Sequence, residues 1–277
     1  LSFDLSKVPV HTLVDDRSHP QKTVPIRYPK AGEPNATVTL GRVDLNGALT
    51  WMTDPHPGTE TLIVQVGFDP QGRLLAAWQD RIQTWFELRR FEGVEGKVLV
   101  KERSKAWQER LPLPRYLKDG SFLWQSDRSG FRHLYHLDAE GRELRALTSG
   151  DWDVRDLLAV DEKAGKAFFS ATERSPIGLD AYAVDLKGKR ANAGLKRLTA
   201  ESGTHMVQFS PDGKRFLARW TNSTTPTQTR LQDAAGALLR TLDAPATEAL
   251  SKLKLGKVSF QTIQARDGHP LQTRLIF

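Results

Sequence analysis

The chain has 277 residues, with 40 Lys+Arg against 33 Asp+Glu for a net charge of +7, no Cys, and 39% hydrophobic residues. That composition excludes an intrinsically disordered chain, and no apolar run approaches the roughly 18 residues a membrane-spanning helix needs. Without Cys, a disulfide framework, a thiolate metal site and a cysteine nucleophile are all excluded. The basic residues are scattered, and the densest groups, Arg89-Arg90 and Lys187/Lys189/Arg190, fall on expected turns. Nucleic-acid surfaces gather such residues beside stacking aromatics, so a solvated face is expected here and no nucleic-acid partner.

In chain order, residues 1–60 read as an extended lead-in marked by Pro9, Pro20, Pro25, Pro29 and Pro34. A hairpin follows within it, with strands at 38–43 and 49–52 joined through Asp44-Leu45-Asn46-Gly47. Asn-Gly favours the tight turn of a two-strand ribbon. That ribbon reads equally as a projecting arm or an edge-closing strap.

From residue 61 the chain repeats. Polar turns end in Gly72, Gly120, Gly165 and Gly213, at spacings of 48, 45 and 48 residues. Glycine in such turns supplies the positive φ that a tight strand reversal requires. Each turn is followed by a short apolar run (74–78, 122–124, 167–171 and 216–220), then a second strand (84–91, 131–138, 179–186 and 228–232). Third runs lie at 97–101, 142–148, 195–199 and 238–242, and strands such as 153–160 and 205–209 complete sets of four. Four turn-bounded strands per period, rich in Trp and Phe, predict propeller blades. The expected fold is all-β: a partial, open β-propeller with four to five four-stranded antiparallel blades over 61–257. Helical periodicity appears only at 246–253, with Thr247 as a possible N-cap and Gly256 as a stop.

Catalytic motifs are missing from the pattern. There is no Gly-x-Ser-x-Gly, no phosphate loop, no dinucleotide fingerprint and no His-Glu-x-x-His. His133 and His136 are the nearest histidine pair, but an i, i+3 pair on a strand points to opposite faces, so packing is expected rather than a metal site. Asp15-Asp16 sits in the lead-in, where solvation is the expectation, and the carboxylates of Asp151-Trp152-Asp153 are expected to cap backbone N–H groups in a turn. No cofactor and no metal are expected. Leu1 rather than Met begins the chain and Leu275-Ile276-Phe277 reads as half a strand, so a piece of a longer polypeptide is expected.

Four segments carry a resemblance. They are YPKAGEPN at 28–35, FLWQSDRSGFRHLY at 122–135, LTSGDWDV at 147–154 and QARDGHPL at 264–271. In this order they are similar to motifs of the dipeptidyl peptidase IV branch of the prolyl oligopeptidase family. The resemblance runs from about residue 5 to 277. It implies part of an eight-bladed propeller joined to an α/β-hydrolase domain whose first strand would occupy 258–277. It also implies a serine exopeptidase releasing N-terminal X-Pro or X-Ala dipeptides from peptides with a free N-terminus, commonly as a homodimer using the hairpin arm. The family's Ser-Asp-His triad would lie after residue 277 and its amine-anchoring Glu pair before residue 1, so no catalytic residue is assigned. Its substrate loop carries Phe-Arg shortly after a Trp. The matching stretch here, 105–112, retains Trp107 without the Phe-Arg pair, which makes Trp107, Arg110 and Leu111 the candidate substrate-binding residues. Bacterial relatives of this class are often exported, which favours a periplasmic or otherwise exported protein. The alternative is a self-contained β-propeller that binds or scaffolds without catalysis, although the Gly-His…Trp-Asp signature of scaffold propellers is missing.

Overall fold

The computed structural model describes residues 1–244 and 252–277. Of the helix expected over 246–253, residues 246–251 lie outside the described residues. Every named element among the described residues is a β-strand, and the chain divides into two compact units, 1–120 with 139–142, and 121–138 with 143–277.

In the first unit the lead-in is more ordered than its prolines suggest. Strand β1 (Ser2–Asp4) pairs with β4 (Thr37–Thr39), and β2 (Val10–Asp15) forms a full ribbon with β3 (Lys22–Arg27). Pro25 is accommodated because a two-stranded ribbon is all edge, where a missing N–H costs no ladder bond on the open side. The expected hairpin is present but shorter than 38–52: β5 (Gly41–Val43) pairs with β6 (Leu49–Trp51), Val38 and Thr39 belonging instead to β4 against β1, and Asp44 accepts hydrogen bonds from the Asn46 and Ala48 N–H groups across its turn. Then comes the first four-stranded sheet, β7 (Thr61–Phe68), β8 (Leu74–Asp80), β9 (Trp85–Phe91) and β10 (Gly96–Arg103), in the order β10-β9-β8-β7. Leu40, Met52, Leu74, Ala76, Trp78 and Phe91 form its buried cluster.

Strand β11 (Arg115–Tyr116) precedes β12 (Phe122–Ser126), β13 (His133–Leu137) and β14 (Glu143–Ala146), which follow one another in a second sheet. The second unit continues with β15 (Val154–Asp161), β16 (Lys166–Ala171), β17 (Asp180–Asp185) and β18 (Lys196–Arg197), then β19 (Thr204–Phe209), β20 (Arg215–Thr221), β21 (Gln228–Asp233) and β22 (Leu238–Asp243). Each set is a four-stranded meander. The chain closes on a hairpin of β23 (Val258–Gln264) and β24 (Pro270–Ile276), turned by Asp267 and Gly268. Phe168, Ala181, Ala183 and Leu198 of the third sheet pack against Phe216 and Ala218 of the fourth. Trp152 stacks over Phe169 and Tyr182, with ring centroids 6.2 and 6.4 Å away.

The four sheets are the blades the period predicted, and the fold is an all-β partial propeller. Gly72, Gly120, Gly165 and Gly213 all have positive φ, between +68° and +85°. Strands β12 and β13 are buried at every residue, β17 at all but its last and β16 at all but its first. Burial on both faces removes the simple in–out alternation of a sheet with one solvated side. A second repeat, invisible in the motifs, lies in the outer turns. Gly141 (φ +82°) lies against the Leu99 carbonyl, the Asn192 N–H (φ +60°) donates to the Leu147 carbonyl at 2.8 Å, and Gly236 (φ +92°) lies against the Leu198 carbonyl. In each case a positive-φ residue in one blade's outer turn meets the carbonyl of a buried leucine of the blade before it.

Candidate functional site

The three candidate residues lie on the loop after β10, between Ser104 and Pro114. The loop is tied to the β8–β9 hairpin. Asp80 holds that hairpin's tip, its carboxylate accepting from the Thr84 N–H and hydroxyl and from the Trp85 N–H at 2.6 to 3.1 Å. Ser104 N–H donates to the Thr84 carbonyl at 2.9 Å, and Gln108 N–H donates to the Gln83 carbonyl at 2.6 Å. From β8, the fully buried Gln79 side-chain amide donates to the Gln108 carbonyl at 2.7 Å. Leu111 is a second anchor, fully buried. Leu113 packs against Gly67 of β7, a place no larger residue could occupy unless Leu113 moved.

Between these anchors the loop faces water. Trp107 is 58% exposed, Lys105 and Arg110 are exposed, and neither cation has a partner among the described residues. The structure therefore separates the three candidates. Trp107 and Arg110 are available to a ligand, whereas Leu111 shapes the loop from beneath. Arg110 can donate to carbonyls or carboxylates, and Trp107 offers an apolar face with one N–H donor.

Charge in the same unit concentrates on a buried carboxylate. Glu87 accepts from Arg89 Nε at 2.5 Å and Lys101 Nζ at 2.9 Å, and contacts His56 Nε2 at 3.1 Å. Burial pushes this carboxyl up, but the bonds from Lys101 and Arg89 outweigh that and hold it below its ordinary value. Glu140, bridged by Lys97 and Arg90, is drawn down to about 2. With both carboxylates already paired, these groups fasten strands together and are ill-suited to proton transfer.

A serine–histidine pair does occur. Ser121 Oγ lies 2.8 Å from His136 Nε2, and both residues are buried. Its polarity is the reverse of a nucleophile–base pair. Arg145 Nη2, which can only donate, lies 3.0 Å from His136 Nδ1. Nδ1 is then the acceptor and Nε2 carries the hydrogen, which it donates to Ser121. A general base needs a bare Nε2 to take the serine proton. His133 is locked similarly, Nε2–H donating to the Gly150 carbonyl at 2.9 Å and Nδ1 accepting from Thr148 Oγ1 at 3.1 Å, and burial lowers its pKa. Both histidines are thus packing residues, as expected from their strand positions. Asp153 accepts from the Arg132 N–H at 2.9 Å, the turn-capping role expected of it. Among the described residues no group of three or more His, Asp or Glu is placed to hold a metal ion.

One further concavity, about 600 Å³, is lined in the second unit by residues including Arg174, Ser202, Thr204, Asn222, Phe260 and Arg274. Arg174 is already committed, donating to Asp180 and to the Ala200 and Glu201 carbonyls.

The sequence model of the family described as dipeptidyl peptidase IV (DPP IV) N-terminal region matches residues 1–227. A probable dipeptidyl peptidase 4 of Arthroderma benhamiae is 26% identical over 296 residues, covering 99% of this chain and 38% of that protein. An inactive dipeptidyl peptidase 10 of Mus musculus is 29% identical over 209 residues, covering 69% of this chain and 26% of its own length. The crystal structure of Porphyromonas gingivalis dipeptidyl peptidase 4 superposes with a TM-score of 0.86 at 25% identity, over 98% of this chain and 39% of that one. The chain thus spans well under half the length of these relatives.

Proposed function

This chain belongs to the family of dipeptidyl peptidase IV N-terminal regions, and from that premise we propose that it is the substrate-gating and substrate-positioning propeller portion of a serine exopeptidase releasing N-terminal X-Pro or X-Ala dipeptides. The observation that carries this reading is the loop at 104–114, which is anchored at Gln108 and Leu111 and offers Trp107 and Arg110 to solvent. A propeller works here by positioning: it admits flexible chain ends and fixes where the peptide lies, which converts a bimolecular encounter into an ordered one. Bond cleavage belongs to a hydrolase domain, which supplies the nucleophile, base and oxyanion donors. Trp107 packs on the peptide and Arg110 donates to its carbonyls, while residues 258–277 lead into the hydrolase.

The proposed partners are peptides with a free N-terminus, the hydrolase domain of the same polypeptide, and a second copy in a homodimer. The reading favours a periplasmic or otherwise exported protein over a cytoplasmic one. Among the described residues no helix is long and apolar enough to cross a membrane. The test is hydrolysis of Gly-Pro and Ala-Pro chromogenic substrates. The 277-residue chain alone is expected to be silent, and appreciable turnover by it would overturn this division of labour. A second reading, a propeller that binds without catalysis, draws support from the mouse relative whose name marks it inactive. Activity of the intact polypeptide on Gly-Pro substrates decides between them.

A further inference from the structure

We propose that Gln79 and Gln83 are positioning residues for the exposed pair Trp107 and Arg110, an inference that rests on the reading of the 104–114 loop as substrate-facing. Two features that each cost stability converge on one residue of that loop, Gln108. Gln79 is completely buried on β8, where an aliphatic side chain would pack without penalty, and its Oε1 has no hydrogen-bond partner. A buried amide with an orphan acceptor is unfavourable, so what it supplies is the bond from Nε2 to the Gln108 carbonyl at 2.7 Å. Gln83 adopts φ +56°, a left-handed conformation that side-chain-bearing residues seldom take. In that conformation its carbonyl receives the Gln108 N–H at 2.6 Å.

The two glutamines therefore hold the N–H and the carbonyl of the same residue. Gln108 is the residue directly after Trp107 and two before Arg110. Fixing its N–H and C=O sets the direction in which the backbone presents both side chains. Unfavourable local geometry maintained by its surroundings is characteristic of parts that must be held in one arrangement. The ladder from β8 to β9 runs through residues 75–79 without using the Gln79 side chain, which leaves that amide to the Gln108 carbonyl. Gln83 has two tasks: its N–H closes the hairpin tip on the Asp80 carbonyl at 3.0 Å while its own carbonyl holds the Gln108 N–H.

Gln79→Leu tests this. Leucine removes the donor and also the orphan oxygen, so the fold should keep its urea midpoint while the Gln108 carbonyl is released. Trypsin cleavage after Lys105 and Arg110 in the 277-residue chain should rise at least tenfold, with cleavage near Lys187 and Lys189 as the internal reference. Gln108→Ala, which keeps both backbone bonds, should stay within twofold of wild type. In the intact peptidase Gln79→Leu should raise KM for Gly-Pro peptides severalfold and change kcat less than twofold. Unchanged cleavage at Lys105 and Arg110 overturns the clamp. Raised cleavage with unchanged KM overturns instead the reading of the loop as substrate-facing. Should Gln79→Leu lower the urea midpoint, Gln79→Met, unbranched like glutamine, is the variant on which both outcomes are read.

Discussion

Adding one methyl group at Gly236 separates two costs that glycine substitutions usually mix. Gly236 and Gly213 both lie in turns of the last blade, with φ of +92° and +69°. Alanine at either position pays about 1–2 kcal/mol for the left-handed backbone, less about 0.4–1 kcal/mol recovered from the unfolded chain. At Gly213 the new carbon would have one neighbour, Asp161 Cβ at an ordinary 3.7 Å, so a net loss of about 1 kcal/mol is expected. At Gly236 it would stand 3.0 Å from the Leu198 carbonyl carbon and closer still to its oxygen, both backbone atoms with no rotamer to escape into. The turn must retreat, which strains the bonds from Lys196 Nζ to the Ala235 carbonyl (2.9 Å) and from Gln232 Nε2 to the Gly236 carbonyl (2.8 Å). Two hydrogen bonds at about 1 kcal/mol each and overpacking of about 1–3 kcal/mol bring Gly236→Ala to a loss of about 4–6 kcal/mol. Urea unfolding measures both variants on one scale. Losses within about 0.5 kcal/mol of each other, inside the scatter of ordinary surface substitutions, would refute the claim that the Leu198 contact matters.

Other outcomes follow from the same geometry. Burial lowers the pKa of both His133 and His205, the latter having no partner for Nδ1, so the unfolded chain takes up their protons first. Stability is then fully present above about pH 6.5 and declines as pH falls below it, and His205→Gln should flatten a urea-midpoint profile between pH 5 and 7. The Glu140 contribution is lost in a separate window, from its ordinary value of 4.5 down toward 2, and Glu140→Gln should leave the profile above pH 5 unchanged. Ser121→Ala should cost about 1 kcal/mol of stability by urea titration and leave Gly-Pro hydrolysis by the intact peptidase unchanged, since the pair has the wrong polarity. Trp107→Ala should change stability by less than about 0.5 kcal/mol while raising KM in the same assay.

The blades were legible because their signal is local. Gly72, Gly120, Gly165 and Gly213 mark turns through a backbone need only glycine meets cheaply, and the runs beside them became β8, β12, β16 and β20. The β2–β3 ribbon was read only as an extended lead-in, because Pro25 argues against a strand unless that strand is known to be an edge. In the candidate site, the resemblance to the family's substrate loop led to Trp107, Arg110 and Leu111, yet a loop has no periodicity from which to tell the exposed pair from the buried leucine. Gln79 and Gln83 carried no signal at all. A buried glutamine inside a strand and a glutamine at positive φ become visible only when the partner that each one holds is known.

The contacts of Gly141, Asn192 and Gly236 with carbonyls of earlier leucines bear on how such a chain tolerates change. Each joint asks for a main-chain oxygen and a backbone able to turn left-handed, and only at Asn192 does a side chain add to it, accepting from the Ser149 N–H and donating to the Ser149 carbonyl. The buried leucines supplying those oxygens, Leu99, Leu147 and Leu198, are 48 and 51 residues apart. The third blade takes up its longer span in the loop around 187–195 while Asn192 still reaches its carbonyl. Residues can thus be gained or exchanged between joints while the stacking of blades is left alone. A chain jointed in this way can share a quarter of its residues with a bacterial peptidase and still superpose on it at a TM-score of 0.86.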